Sequence, residues 1–295
     1  MFLLKQILPA ALLALLVAAG ICGFALFLGK ERARSVLAPL AVGIAYFAGH
    51  CFIAGWAKFP PADTTNWLPY FAMAAAVFGA LCALLREGRA SARPGREESR
   101  PSKISYLRVV LFALVSAGAL RLLLKPKFQY GWSLSQAWVW VAGLVLATVL
   151  LATILEALAR RPETAVELPV FLAVICAGTF GALMLSGSML LGQFAAVLAG
   201  AILGSMVFAA RKVALGPGIV PVYSLLVAAL LMSGYFFADL PATSAVLLAI
   251  APIFALSPIG RPSKLLGLGI RTALVSIPVI IALIMAFHAS PPLDI

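Results

Sequence analysis

Long apolar stretches alternating with short polar ones set the pattern of this chain. Such stretches occupy 7–28, 36–57, 67–85, 104–124, 134–158, 167–186, 188–210, 218–237, 241–259 and 267–288. A bilayer core of roughly 30 Å is crossed by about 20 apolar residues in helical form, and each stretch approaches or exceeds that length. A backbone surrounded by lipid must satisfy its hydrogen bonds within itself. The expected fold class is therefore all-α: a polytopic integral membrane helix bundle of about ten transmembrane helices, forming a single transmembrane domain over 1–295.

Prolines mark several expected starts. Pro9, Pro39, Pro69, Pro169, Pro221 and Pro241 each fall in a predicted first turn, where a missing N–H has no intrahelical partner to lose. Pro252 and Pro278 fall instead near the middle of the ninth and tenth spans, where each is expected to kink its helix. The segment 59–66 pairs Pro60 and Pro61 with Asp63, Thr64, Thr65 and Asn66 and reads as a stiff turn able to cap the third span. The longest connection, 86–103, mixes Arg, Glu, Ser, Gly and Pro and is expected to be a flexible basic loop.

Composition agrees with the pattern. The chain is 63% hydrophobic and 11% charged, against about 25% charged in an ordinary soluble protein. Loops use up what the spans leave, so no separate soluble domain is expected. The apolar run at 7–28 exceeds the roughly 7–15 residues of a signal-peptide core and is followed by Lys30, Arg32 and Arg34, so it reads as a retained helix.

The net charge of +12 changes the picture only through its placement. Connections after odd-numbered spans hold Lys30, Arg32 and Arg34; Arg86, Arg89, Arg93, Arg96, Arg100 and Lys103; Arg160 and Arg161; Arg211 and Lys212; and Arg261 and Lys264. Opposite connections hold only Lys5, Lys58, Lys125 and Lys127. The positive-inside rule then puts both termini outside and the basic loops in the cytoplasm. All five tryptophans, Trp56, Trp67, Trp132, Trp138 and Trp140, lie at predicted outer ends, where an apolar ring with one N–H is at home. Expected partners are the bilayer itself and anionic lipid at Arg86 through Lys103, not nucleic acid. The strong bias and short loops point to a cell membrane of the bacterial inner-membrane type.

Candidate chemistry is sparse. Glu156 and Arg160 form a favourable i,i+4 pair, and Arg108, Arg121 and Arg271 are expected to snorkel from helix ends. His50 lies about 9 Å below the outer end of the second span and shares a helical face with Gly43 and Tyr46. A histidine there can relay protons, bind an anion, or simply pack. Together with Asp63, Gln193 and His288 it makes a candidate polar site on the outer face: His50, Tyr46, Asp63, Gln193, His288.

In the seventh span Gly192, Ala196, Gly200 and Gly204 recur every four residues, a small-residue stripe that admits another helix, within the chain or from a homo- or hetero-oligomeric partner. The four cysteines, Cys22, Cys51, Cys82 and Cys176, sit in apolar stretches without metal-site spacing. Neither a catalytic set, a metal motif nor a cofactor loop is recognisable.

Three function classes remain. A transporter of a small solute, lipid or ion predicts a path reaching midplane depth. A structural or assembly subunit of an envelope complex predicts a dry core and a partner groove at the seventh span. A membrane enzyme acting on a lipid-linked substrate needs His50, Asp63 or His288 to converge. The helix count and mid-helix prolines place the transporter first.

Overall fold

A computed structural model of the chain describes residues 2–56, 58–61, 63–92, 103–161, 166–211, 217–257 and 264–290. The described residues form a bundle of α-helices: α1 (Phe2–Phe27), α2 (Glu31–Ala54), α3 (Leu68–Ala92), α4 (Lys103–Leu123), α5 (Lys125–Tyr130), α6 (Leu134–Arg160), α7 (Leu168–Leu185), α8 (Met189–Ala210), α9 (Val220–Phe237), α10 (Ala242–Ile250) and α11 (Lys264–Ala289). Among the described residues, nine helices are long and apolar enough to cross a membrane.

The expected ninth span departs from the rest. Its α-helix stops at Ile250 and continues as a 3₁₀ segment, Ala251–Leu256, with Pro252 at its start. Proline cannot donate the N–H that would continue the α ladder, so the chain tightens there. At about 1.5 and 2.0 Å per residue the two parts together still rise about 25 Å. Ser244 pins one end by donating to the Ala282 carbonyl of α11 at 2.8 Å. At the other end Arg161 donates to the Leu256 carbonyl at 3.0 Å.

Other boundaries moved for physical reasons. Pro9 and Pro39 lie inside α1 and α2, because both helices begin earlier than their apolar runs. α3 continues to Ala92, so 86–92 is helical, and 93–102 lies outside the described residues. A 3₁₀ turn, Thr65–Trp67, leads into α3 without a side-chain cap at Thr64; Asn66 donates to Asp63 at 3.4 Å instead. The short helix α5 was not expected. Helices α7 and α8 form a hairpin in which Gly187, at φ 84°, lets Ser188 N–H reach back to the Leu183 carbonyl at 3.1 Å.

Connectivity gathers the tryptophans at one end of the bundle, and Arg32, Arg34, Arg108, Arg160, Arg161 and Arg211 at the other. These are called the tryptophan end and the arginine end below. Packing is organised around α9, where every residue from Val220 to Gly234 is buried, and α2, α3, α4, α6, α7, α8 and α10 surround it. On the flank, α1 buries Ala10, Ala14, Ala18, Cys22 and Ala25 and turns Leu8, Leu12 and Leu16 outward. That alternation is inverted relative to a soluble helix, since small residues permit backbone approach and leucines suit lipid. Along this flank α1 lies against α8 and α2.

Candidate functional site

The residues proposed for the outer-face site separate into two groups. His50 and Tyr46 are buried together inside the bundle, 1% and 0% exposed, with ring centroids 6.4 Å apart. Glycines on two sides of α2 bring them there. A Cβ added at Gly43 would collide with Ala76 of α3, and one added at Gly49 would collide with Val197 of α8. That close approach sets the His50 ring edge-on to Phe194 of α8, 4.2 Å between centroids. Gln193, next to Phe194, is also buried.

Asp63 and His288 are exposed. Asp63 accepts from Asn66, and His288 lies 6.0 Å from the Phe287 ring. Among the described residues, neither shares a hydrogen bond, ion pair or ring contact with His50, Tyr46 or Gln193.

Two residues outside the expected site extend the buried group: Tyr223, which its span gave no reason to single out, and Cys176, expected only as one of four cysteines in apolar stretches. Cys176 of α7 is close enough to interact electrostatically with both Tyr46 and Tyr223 of α9. Its thiol lies beside the Tyr223 hydroxyl without a well-formed hydrogen bond between them. Thus α2, α7 and α9 bring Tyr46, Cys176 and Tyr223 into one neighbourhood, with His50 adjoining through Tyr46. Both His50 nitrogens and both tyrosine hydroxyls lack a hydrogen-bond partner among the described residues. A buried polar atom left unpaired costs about 1–3 kcal/mol. Elsewhere, buried Thr179, Ser205 and Ser224 each donate to a carbonyl of their own helix, whereas the Ser116 and Ser233 hydroxyls, scattered on α4 and α9, are also without a partner among the described residues.

A separate cavity opens between α6, α9 and α10. It measures about 340 Å³ and is walled by Leu144, Ala147, Thr148 and Leu151 of α6, Ala228, Leu231 and Met232 of α9, and Ala242, Ala245, Val246 and Ala249 of α10. Trp140, Tyr235 and Phe236 close it toward the tryptophan end. The Thr148 hydroxyl is already spent on the Leu144 carbonyl at 2.8 Å. Oily walls therefore line this slot, in contrast to the polar group around His50.

Of the other charges within the spans, Arg121 lies over the Trp138 ring, 5.7 Å from its centroid, and Arg108, Arg160 and Arg271 pair with carboxylates. Arg160 meets Glu156 at 3.0 Å, as their spacing indicates. Arg108 and Arg271 do more than snorkel: Arg108 pairs with the same Glu156 across α4 and α6, and Arg271 of α11 reaches Glu167 beside α7 at 3.1 Å. These pairs join helices at the arginine end. Of the basic residues expected to meet anionic lipid, Arg93, Arg96 and Arg100 lie outside the described residues, as do the side chains of Arg86, Arg89 and Lys103.

The stripe on α8 is divided between neighbours. Cβ atoms added at Gly200 and Gly204 would collide with the Ala11 and Leu15 carbonyls of α1, and one at Gly192 would meet Met184 of α7. Ala196 between them is half-buried.

Comparison with protein-family models, with curated proteins and with solved structures gives no match.

Proposed function

We propose that the protein is a transporter of a small polar solute or ion, with the group around His50, Tyr46, Tyr223 and Cys176 as its polar site. One observation carries this reading: four polar atoms are enclosed at the heart of the bundle, and among the described residues none satisfies them. Polar groups inside a membrane are expensive, and those without a structural partner mark function by default. A closed arrangement around an alternately exposed site accounts for burial and missing partners together. The glycine contacts at Gly43 and Gly49 give α2 close, smooth surfaces against α3 and α8 along which such a movement can run.

The other readings have less support. A scaffold was expected to present a groove at the seventh span, but α1 fills the Gly200 and Gly204 face from within the chain. An enzyme would need Asp63 or His288 to converge with His50, and both are exposed while His50 is buried.

The test is aqueous access to position 50. The four native cysteines are replaced, His50→Cys is introduced, and intact cells are treated with a membrane-impermeant thiol reagent. A protein retaining only Cys22, buried on α1 and outside this group, serves as the buried control. Labelling of position 50 is expected, because the site must open to water in part of its cycle. Complete protection in a folded, inserted protein would remove the site and return His50 to packing.

A further inference from the structure

The slot between α6, α9 and α10 has a shape and surroundings that select one kind of occupant. Its wall on α6 runs from Trp140 to Leu151, about 16 Å along the helix axis. Half of a bilayer core of roughly 30 Å is about 15 Å. The slot therefore begins at the tryptophan end, runs parallel to the helices, and stops near the depth of one leaflet. Its 340 Å³ spread over about 16 Å gives a mean cross-section of about 21 Å². That admits a single hydrocarbon chain, whereas a helix is about 10 Å across and cannot enter.

The chemistry of the walls agrees. The interior is aliphatic, and alanines at 147, 228, 242, 245 and 249 leave the space that larger side chains would fill. Water or a polar solute would find no partner there, because a buried water needs two to four polar groups. Polarity appears only at the mouth. There Trp132 stacks on Trp140 and stands edge-on to Phe236, with centroids 5.9 and 5.1 Å apart. Beside them Lys127 of α5 holds its ammonium 5.8 Å from the Phe237 ring centroid. Lys125 lies exposed on the same short helix, and among the described residues neither lysine is in an ion pair that the structure records. Asp239 is exposed in the turn after α9.

The geometry points to a lipid site: one acyl chain of an anionic phospholipid lies in the α6–α9–α10 slot, with its headgroup at Lys127. Charge complementarity selects the anionic headgroup, and slot length selects a tail from the leaflet at the tryptophan end. This site is independent of the polar group around His50.

Photo-crosslinking tests it. The full chain is reconstituted in phosphatidylcholine vesicles doped with phosphatidylglycerol carrying a diazirine on its acyl chain, or with the matching phosphatidylcholine probe. Cross-linked peptides are then mapped. The phosphatidylglycerol probe should label 140–151 and 242–249 severalfold more than the phosphatidylcholine probe does. Ala249→Phe should abolish labelling in the slot while leaving that on the lipid-facing side of α1, around Leu12 and Leu16, which reports correct insertion. Lys127→Gln, a change at the rim that leaves the bundle interior intact, should bring the two probes to equal labelling. Slot labelling no stronger than that on α1 and unaffected by Ala249→Phe would leave only general bilayer contact and overturn the site. Equal labelling by both probes in the unaltered protein would overturn its anionic selectivity.

Discussion

The two flanks of the central helix α9 use small residues to opposite ends. On the α1–α2–α8 flank, alanines and glycines face one another: Ala10, Ala14 and Ala18 of α1 are buried, and Gly200 and Gly204 of α8 touch the α1 backbone. On the α6–α9–α10 flank, alanines face across a gap that no helix fills, and the slot remains. Lipid tails are as apolar as leucine, so hydrophobicity alone cannot pull helices together; close contact and dispersion must do it. Small residues aligned with small residues give a seam, whereas small residues among Leu144, Leu151 and Met232 give a cavity. Residue size thus has no fixed meaning in such a bundle until the opposite helix is known.

Enlarging one residue on each flank should break this contrast most strongly. Gly204→Leu forces α1 off α8 and should destabilise the protein by about 3 kcal/mol, the upper part of the usual overpacking range, read from its unfolding in mixed micelles. Ala245→Leu on the slot side has room and should change stability by less than about 0.5 kcal/mol in the same measurement. Equal losses would mean that the slot is no looser than the seam.

The next effect concerns the ion pair between α7 and α11. Glu167→Gln leaves Arg271, 8% exposed as a residue, without its carboxylate. Losing the partner of a fully buried charge costs about 3–5 kcal/mol; at a helix end with some access to the membrane surface, a loss of about 2 kcal/mol is expected. Melting of the purified variant checks it.

His50→Leu sharpens the comparison within the packed flank. It removes two unpaired nitrogens, so stability should hold or rise by about 1 kcal/mol while transport is lost. A clear destabilisation would instead make His50 part of the packing. The smallest effect belongs to Arg160→Ala. Arg160 is half exposed and Glu156 keeps Arg108, so the variant should lose no more than about 0.5 kcal/mol in the same unfolding assay.

Much of the architecture was legible because membrane physics is severe. Apolar length announced the spans, and the loops announced themselves by charge. The segment 242–256 was visible as apolar, but its change from α to 3₁₀ at Pro252 looked in sequence like an ordinary kink. The candidate site was half legible. Histidine at 50 and tyrosine at 46 stood out as polar residues within a span, and they do lie together. Asp63 and His288 were joined to them only by lying toward the same end. Tyr223 went unnoticed because α9 is apolar on every side, and an apolar helix reads alike whether it faces lipid or protein.

By itself, the sequence determined the helical bundle and the separation of the tryptophans from most of the arginines, since both follow from transfer between water and lipid, which each segment undergoes separately. The tertiary structure alone decided that α1 occupies the glycine stripe of α8, that Arg271 meets Glu167, that Tyr223 joins Tyr46 and Cys176, and that a slot stays open beside α10. Each of these depends on which helices become neighbours and at what distance. With lipid and protein interiors equally apolar, no periodicity along a single span records that choice.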